Sequence, residues 1–130
     1  MTVIDIGANL GVYSLPIARL IGPQGHVFSY EPASETQRLL KISKKKNRAN
    51  NLHVIGAALS DGEREGHLVL GTSSELNTLD GSGPGESVQV TSLDAEEKTR
   101  NWGRIDFLKI DAEGEEERIL AGAKSFFAHQ

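Results

Sequence analysis

Residues 3–11, VIDIGANLG, decide how the rest of the chain is read. Val3–Ile6 is β-branched apart from one aspartate, and glycine follows at once, so a short buried strand running into a tight small-residue loop is expected. Beyond the loop, Val12, Leu15, Ala18, Leu20 and Ile21 recur at roughly helical spacing. Pro16 lacks an N–H and is tolerated only near a first turn, so this helix is expected to start late or to kink there. Gly22-Pro23 stops it.

The next segments repeat the unit. His26–Tyr30 (HVFSY) reads as a second strand ending at Glu31-Pro32. Ser34-Glu35-Thr36-Gln37 fits a capping box with Ser34 as the cap, so a helix should run to Lys46 or Asn47. Its last turn carries Lys44, Lys45 and Lys46, where cations suit the negative end of the helix. Leu52–Leu59 (LHVIGAAL) reads as a third strand. The order β-α-β-α-β implies a parallel sheet with right-handed crossovers.

The pattern then changes. His67–Gly71 and Ser87–Leu93 alternate on either side of the polar loop DGSGPGES, which predicts a β-hairpin or edge-strand insertion. Arg104–Ile110 (RIDFLKI) returns to a buried strand closed by Asp111-Ala112-Glu113-Gly114. Glu115–Phe127 is expected to be one helix with Ile119, Leu120, Ala123, Phe126 and Phe127 on a shared face. A strand order of 3-2-1-4 would leave IDFLKI at an open edge, which a hairpin or a second copy of the chain would have to cover.

Composition narrows the class. The 130 residues, 1–130, suffice for one domain with one core. The formal charge of −4 gives no global attraction to nucleic acid or to an anionic membrane. There is no cysteine, which excludes a disulfide scaffold and a thiolate metal site and fits a reducing, cytoplasmic setting. No apolar run approaches the ~20 residues of a membrane helix. His26, His53, His67 and His129 lack metal-ligand spacing, so no metal is expected. The lysine cluster has no interleaved aromatics and reads as a solvated helix end.

Three constellations could carry chemistry. In the first, Gly7 and Gly11 flank Ala8 and Asn9 at G-x-x-x-G spacing, which is not the dinucleotide fingerprint. Glycine there would let backbone approach a ligand closely, although an ordinary strand–helix turn needs the same residues. Asp5 would be a poor neighbour for pyrophosphate and a good one for a cation such as a substrate ammonium. In the second, Glu31 follows Gly11 by about the spacing at which nucleotide-binding sheets place a ribose-hydroxyl acceptor. In the third, Asp111 and Glu113 lie at the C-terminal end of a strand, the ligand edge of an open α/β sheet. An extended strand would point both to one side, where they could serve as a general base or hold a divalent cation; either could equally cap the following helix. Ser60-Asp61-Gly62 is turn chemistry that also falls on the ligand edge.

Taken in order, VIDIGANLG, SYEP, AALSDGE, VTSLD and IDFLKIDAEGEE resemble the FkbM family of S-adenosylmethionine-dependent methyltransferases across nearly the whole chain. The resemblance implies a Rossmann-like class I methyltransferase fold and methylation of a hydroxyl on a sugar, polyketide or other small molecule. It implies S-adenosyl-L-methionine as cofactor, with Asp5 at its methionyl end, Gly7, Ala8, Asn9 and Gly11 in the loop beneath it, Glu31 on the ribose hydroxyls, and Ala58 and Asp61 by the adenine. Asp111 and Glu113 would then stand at the methyl-transfer edge. Family members usually continue past the KIDAEG helix, so the fold is expected in a C-terminally truncated form. A non-catalytic cofactor-binding module of the same fold is the alternative, and the glycine spacing disfavours a dehydrogenase half.

Overall fold

A computed structural model describes residues 1–73 and 77–130. Four strands form a parallel sheet in the order β3-β2-β1-β8. They are β1 (Thr2–Ile6), β2 (His26–Tyr30), β3 (Leu52–Ile55) and β8 (Phe107–Ile110). The alternation in VIDI sorts side chains to two faces. Val3 joins Val27, Leu52, Ala18 and Leu40 under helices α1 (Ser14–Ile21) and α2 (Ser34–Lys46). Ile4 and Ile6 join Leu93, Ile119 and Phe126 under α3 (Leu93–Arg100), α4 (Glu116–Ala121) and α5 (Lys124–His129). The result is a sheet between two helical layers, each closing one apolar cluster.

The remaining strands make a second sheet in the order β4-β7-β5-β6. They are β4 (Ala57–Leu59), β5 (Arg64–Val69), β6 (Thr78–Leu79) and β7 (Gly85–Thr91). β5 and β7 pair antiparallel, as the alternating pattern predicts, and β4 pairs parallel to β7. LHVIGAAL is therefore two strands in two sheets. The break falls at Gly56, where a Cβ would press on the Gln37 side chain.

Of the other local expectations, the late start of α1 holds and several boundaries are corrected. α1 starts at Ser14, so Pro16 lies in its first turn, where its missing N–H costs nothing. Ser34 does not cap α2. The cap position is Ala33, and the Ser34 N–H and hydroxyl both donate to Glu86, at 2.7 and 2.6 Å. Helix α3 was not anticipated from sequence, although Ser92 caps it by accepting from the Ala95 N–H at 3.2 Å. The last helix is two, parted at Gly122-Ala123, and a Cβ on Gly122 would collide with the Ser60 carbonyl. RIDFLKI is a shorter strand than expected and sits at the open edge, pairing with β1 alone among the described strands. Phe107 is 53% exposed there. No helix among the described residues is long and apolar enough to cross a membrane.

Candidate active site

The C-terminal ends of β1, β2 and β8 meet at one edge of the main sheet, and the loops leaving them are tied together. The Gly7 and Ala8 N–H groups both donate to the Tyr30 carbonyl, at 3.1 and 3.0 Å. The Asp111 N–H donates to the Ile6 carbonyl at 3.0 Å. Gly7 has φ +75°, and any Cβ on it would collide with the Asp111 carbonyl, so only glycine lets the β1 and β8 loops close to this distance. Gly11, at φ +86°, is likewise backed by the Leu40 side chain.

These loops wall a cavity of about 520 Å³. Gly7, Ala8 and Asn9 line it from the first loop, with Leu10, Val12 and Tyr13 beyond them. Tyr30 and Glu31 line it from β2, Ala57, Ala58 and Leu59 from β4, and Lys109, Asp111, Glu113 and Glu115 from β8 and the turn after it. Of the residues singled out in the sequence, Gly7, Ala8, Asn9, Glu31, Ala58, Asp111 and Glu113 share this wall. Asp5, Gly11 and Asp61 do not line it.

Glu31 lines the cavity and is buried. Its Oε2 accepts from the Asn9 N–H at 3.0 Å and its Oε1 from the Ala33 N–H at 2.9 Å. Burial pushes its carboxyl above the ordinary value, and those two N–H groups pull it back in part. Beside it, the Tyr30 hydroxyl donates to Glu96 at 2.5 Å, and burial together with Glu96 pushes the phenol well up, keeping it protonated. Ser60 donates to Glu115 at 2.9 Å and so fixes that carboxylate on the wall.

Asp5 occupies a different setting. It is wholly buried and stands in register with Ser29 on one side and Lys109 on the other, one residue before the end of each strand. Ser14 donates to its Oδ2 at 2.5 Å and Lys109 to its Oδ1 at 3.0 Å, while the Ser14 and Ser29 hydroxyls lie 2.7 Å apart. The row is a self-satisfied polar strip beneath the first turn of α1, and Lys109 is its outer member. Lys109 is 17% exposed, lies 3.9 Å from Asp111, and has the Tyr13 ring 5.2 Å from its nitrogen. Sequence reasoning passed over it.

Asp111 and Glu113 follow the strand, which ends at Ile110, and Glu113 has φ +50°; strand alternation therefore does not orient them. Neither caps the following helix, whose cap position is Glu115 with no side-chain cap bond; Glu116, the first residue of α4, instead ties the turn that carries them. Its oxygens accept from the Ala112 and Gly114 N–H groups, each at 3.0 Å, and backbone N–H groups hold its carboxyl below the ordinary value. Asp111 is left 66% exposed at the cavity rim.

Comparison with known proteins agrees with this architecture. The family described as the methyltransferase FkbM domain matches residues 5–130. The AMB antimetabolite synthetase AmbE of Pseudomonas aeruginosa is 40% identical over 63 residues, which are 48% of this chain and 3% of that protein. A crystal structure of methyltransferase FkbM from Methylobacillus flagellatus KT superposes with a TM-score of 0.64 at 20% identity, over 95% of this chain and 29% of that one. The chain thus spans a small part of either relative, and the second likeness is one of fold.

Proposed function

The chain belongs to the FkbM family of methyltransferases and has its Rossmann-like fold; from that premise we propose that it binds S-adenosyl-L-methionine and methylates a hydroxyl oxygen of a small molecule or glycan. The observation that carries the reading is the chemistry of the cavity wall. Glu31, Asp111, Glu113 and Glu115 suit a ligand bearing a sulfonium and an ammonium and no phosphate. Its volume lies in the range of small-molecule sites. Glu31, oriented by two backbone N–H groups, keeps lone pairs for a pair of ribose hydroxyls, and apolar Ala57, Ala58 and Leu59 offer a surface for the adenine.

When bound, S-adenosyl-L-methionine would be held by Glu31 and the first loop and would supply an already activated methyl group for displacement by the acceptor oxygen, its own sulfur serving as the neutral leaving group. The protein's part is to align the acceptor oxygen, exclude water and take the acceptor's proton. Asp111 and Glu113 are the carboxylates at the open rim that serve the last role. Lys109 stands 3.9 Å from Asp111 at the same part of the wall. Leu10, Val12 and exposed Tyr13 provide an apolar lip against which an acceptor packs.

Transfer of a labelled methyl group from the donor to a panel of glycans and small hydroxylated acceptors tests the reading. Label in product with wild type, and its loss in Asp111→Asn with donor binding retained, supports it. Donor binding with no transfer to any acceptor class would make the chain a cofactor-binding module.

A further inference from the structure

The amino-acid end of the proposed donor carries an α-carboxylate as well as an α-ammonium, and the carboxylate has to find a cation in a wall whose other charged side chains, among the described residues, are all acids. Lys109 is the one cationic side chain among the described residues lining the cavity. We infer that Lys109 anchors that carboxylate and that Asp5, instead of touching the donor, acts through Lys109 as a positioning residue. This assignment rests on the donor-binding reading above.

Asp5 is 0% exposed, is absent from the cavity wall, and has one oxygen taken by Ser14 and the other by Lys109. Its charge is thus spent inside the protein. Lys109 has three N–H donors, and Asp5 accepts at 3.0 Å while Asp111, at 3.9 Å, lies beyond direct hydrogen-bond range. Donors therefore remain for a ligand on the cavity side. The ammonium cannot swing away without stranding a buried carboxylate, so its position is set before any ligand arrives, and little side-chain freedom is lost on binding. The β1–β8 register supplies this arrangement by placing Asp5 opposite Lys109.

The test compares S-adenosylhomocysteine with its analogue lacking the α-carboxylate, by calorimetric titration. Wild type should bind the analogue about tenfold more weakly or worse. Equal affinities overturn the assignment while leaving donor binding intact, and uptake of neither ligand overturns both. A second comparison uses the double variant Asp5→Asn/Lys109→Met, which removes both charges together and so leaves no orphaned ion in the core. There the two ligands should bind equally well. A preference that survives the double variant would show that another group holds the carboxylate.

Discussion

The C-terminal ends of β1 and β8 lie side by side, and each brings an aspartate to the same edge of one sheet, yet the two carboxylates have opposite fates. Asp5 sits one residue before its strand ends, on the face beneath α1, and is sealed between Ser14 and Lys109. Asp111 sits one residue after its strand ends and remains 66% exposed at the cavity. The difference is the register position, not the residue type. A carboxylate inside the ladder must be satisfied by the protein, and one just past it is available to a ligand.

That contrast can be attacked at several points. Lys109→Met should have the largest effect on stability, about 3–5 kcal/mol, because it leaves Asp5 charged and buried without its partner. Urea unfolding would measure it, and adding Asp5→Asn should restore most of the loss. Gly7→Ala comes next, at about 3 kcal/mol, since a Cβ at φ +75° is strained and collides with the Asp111 carbonyl, forcing the two turns apart. A variant as stable as wild type would mean that the turns are not held together as described.

Glu31 gives a pH-dependent effect. Burial raises its carboxyl, so the folded state binds that proton more tightly than the unfolded state does. Relative to Glu31→Gln, wild type should therefore hold its full advantage below the ordinary glutamate range, ~pH 4, and lose it as pH rises through the raised folded value. Unfolding curves over a pH series would show a stability difference that shrinks and then levels. A difference independent of pH would contradict the burial argument. The smallest stability effect belongs to Asp111→Asn, within about 0.5 kcal/mol, while methyl transfer should fall by about a hundredfold or more.

Much of this was legible in the residues. Three strands, both crossover helices and the antiparallel insertion follow from apolar runs bounded by glycine and proline, and the 3-2-1 order with RIDFLKI at the edge is the order of a doubly wound sheet. The β3–β4 break was not, because the apolar run LHVIGAAL hides a change of sheet that only tertiary packing on Gln37 reveals. Helix α3 was missed although Ser92-Leu93-Asp94-Ala95-Glu96 holds a cap and an acidic first turn. Of the candidate site residues, spacing and strand-end position singled out Gly7, Glu31, Asp111 and Glu113, which line the cavity, and Gly11, which does not. Lys109 was not singled out. Its signal was a polar residue one place from the end of three apolar strands, Asp5, Ser29 and Lys109, which in a parallel sheet fall into a single row.

The most direct test of the account is calorimetric titration of S-adenosylhomocysteine into wild type and Glu31→Ala. Saturable binding to wild type that weakens at least about tenfold in a folded Glu31→Ala is the predicted result. Absence of binding to wild type, or equal binding to both proteins, would contradict the claim that the cavity at this sheet edge holds the methyl donor.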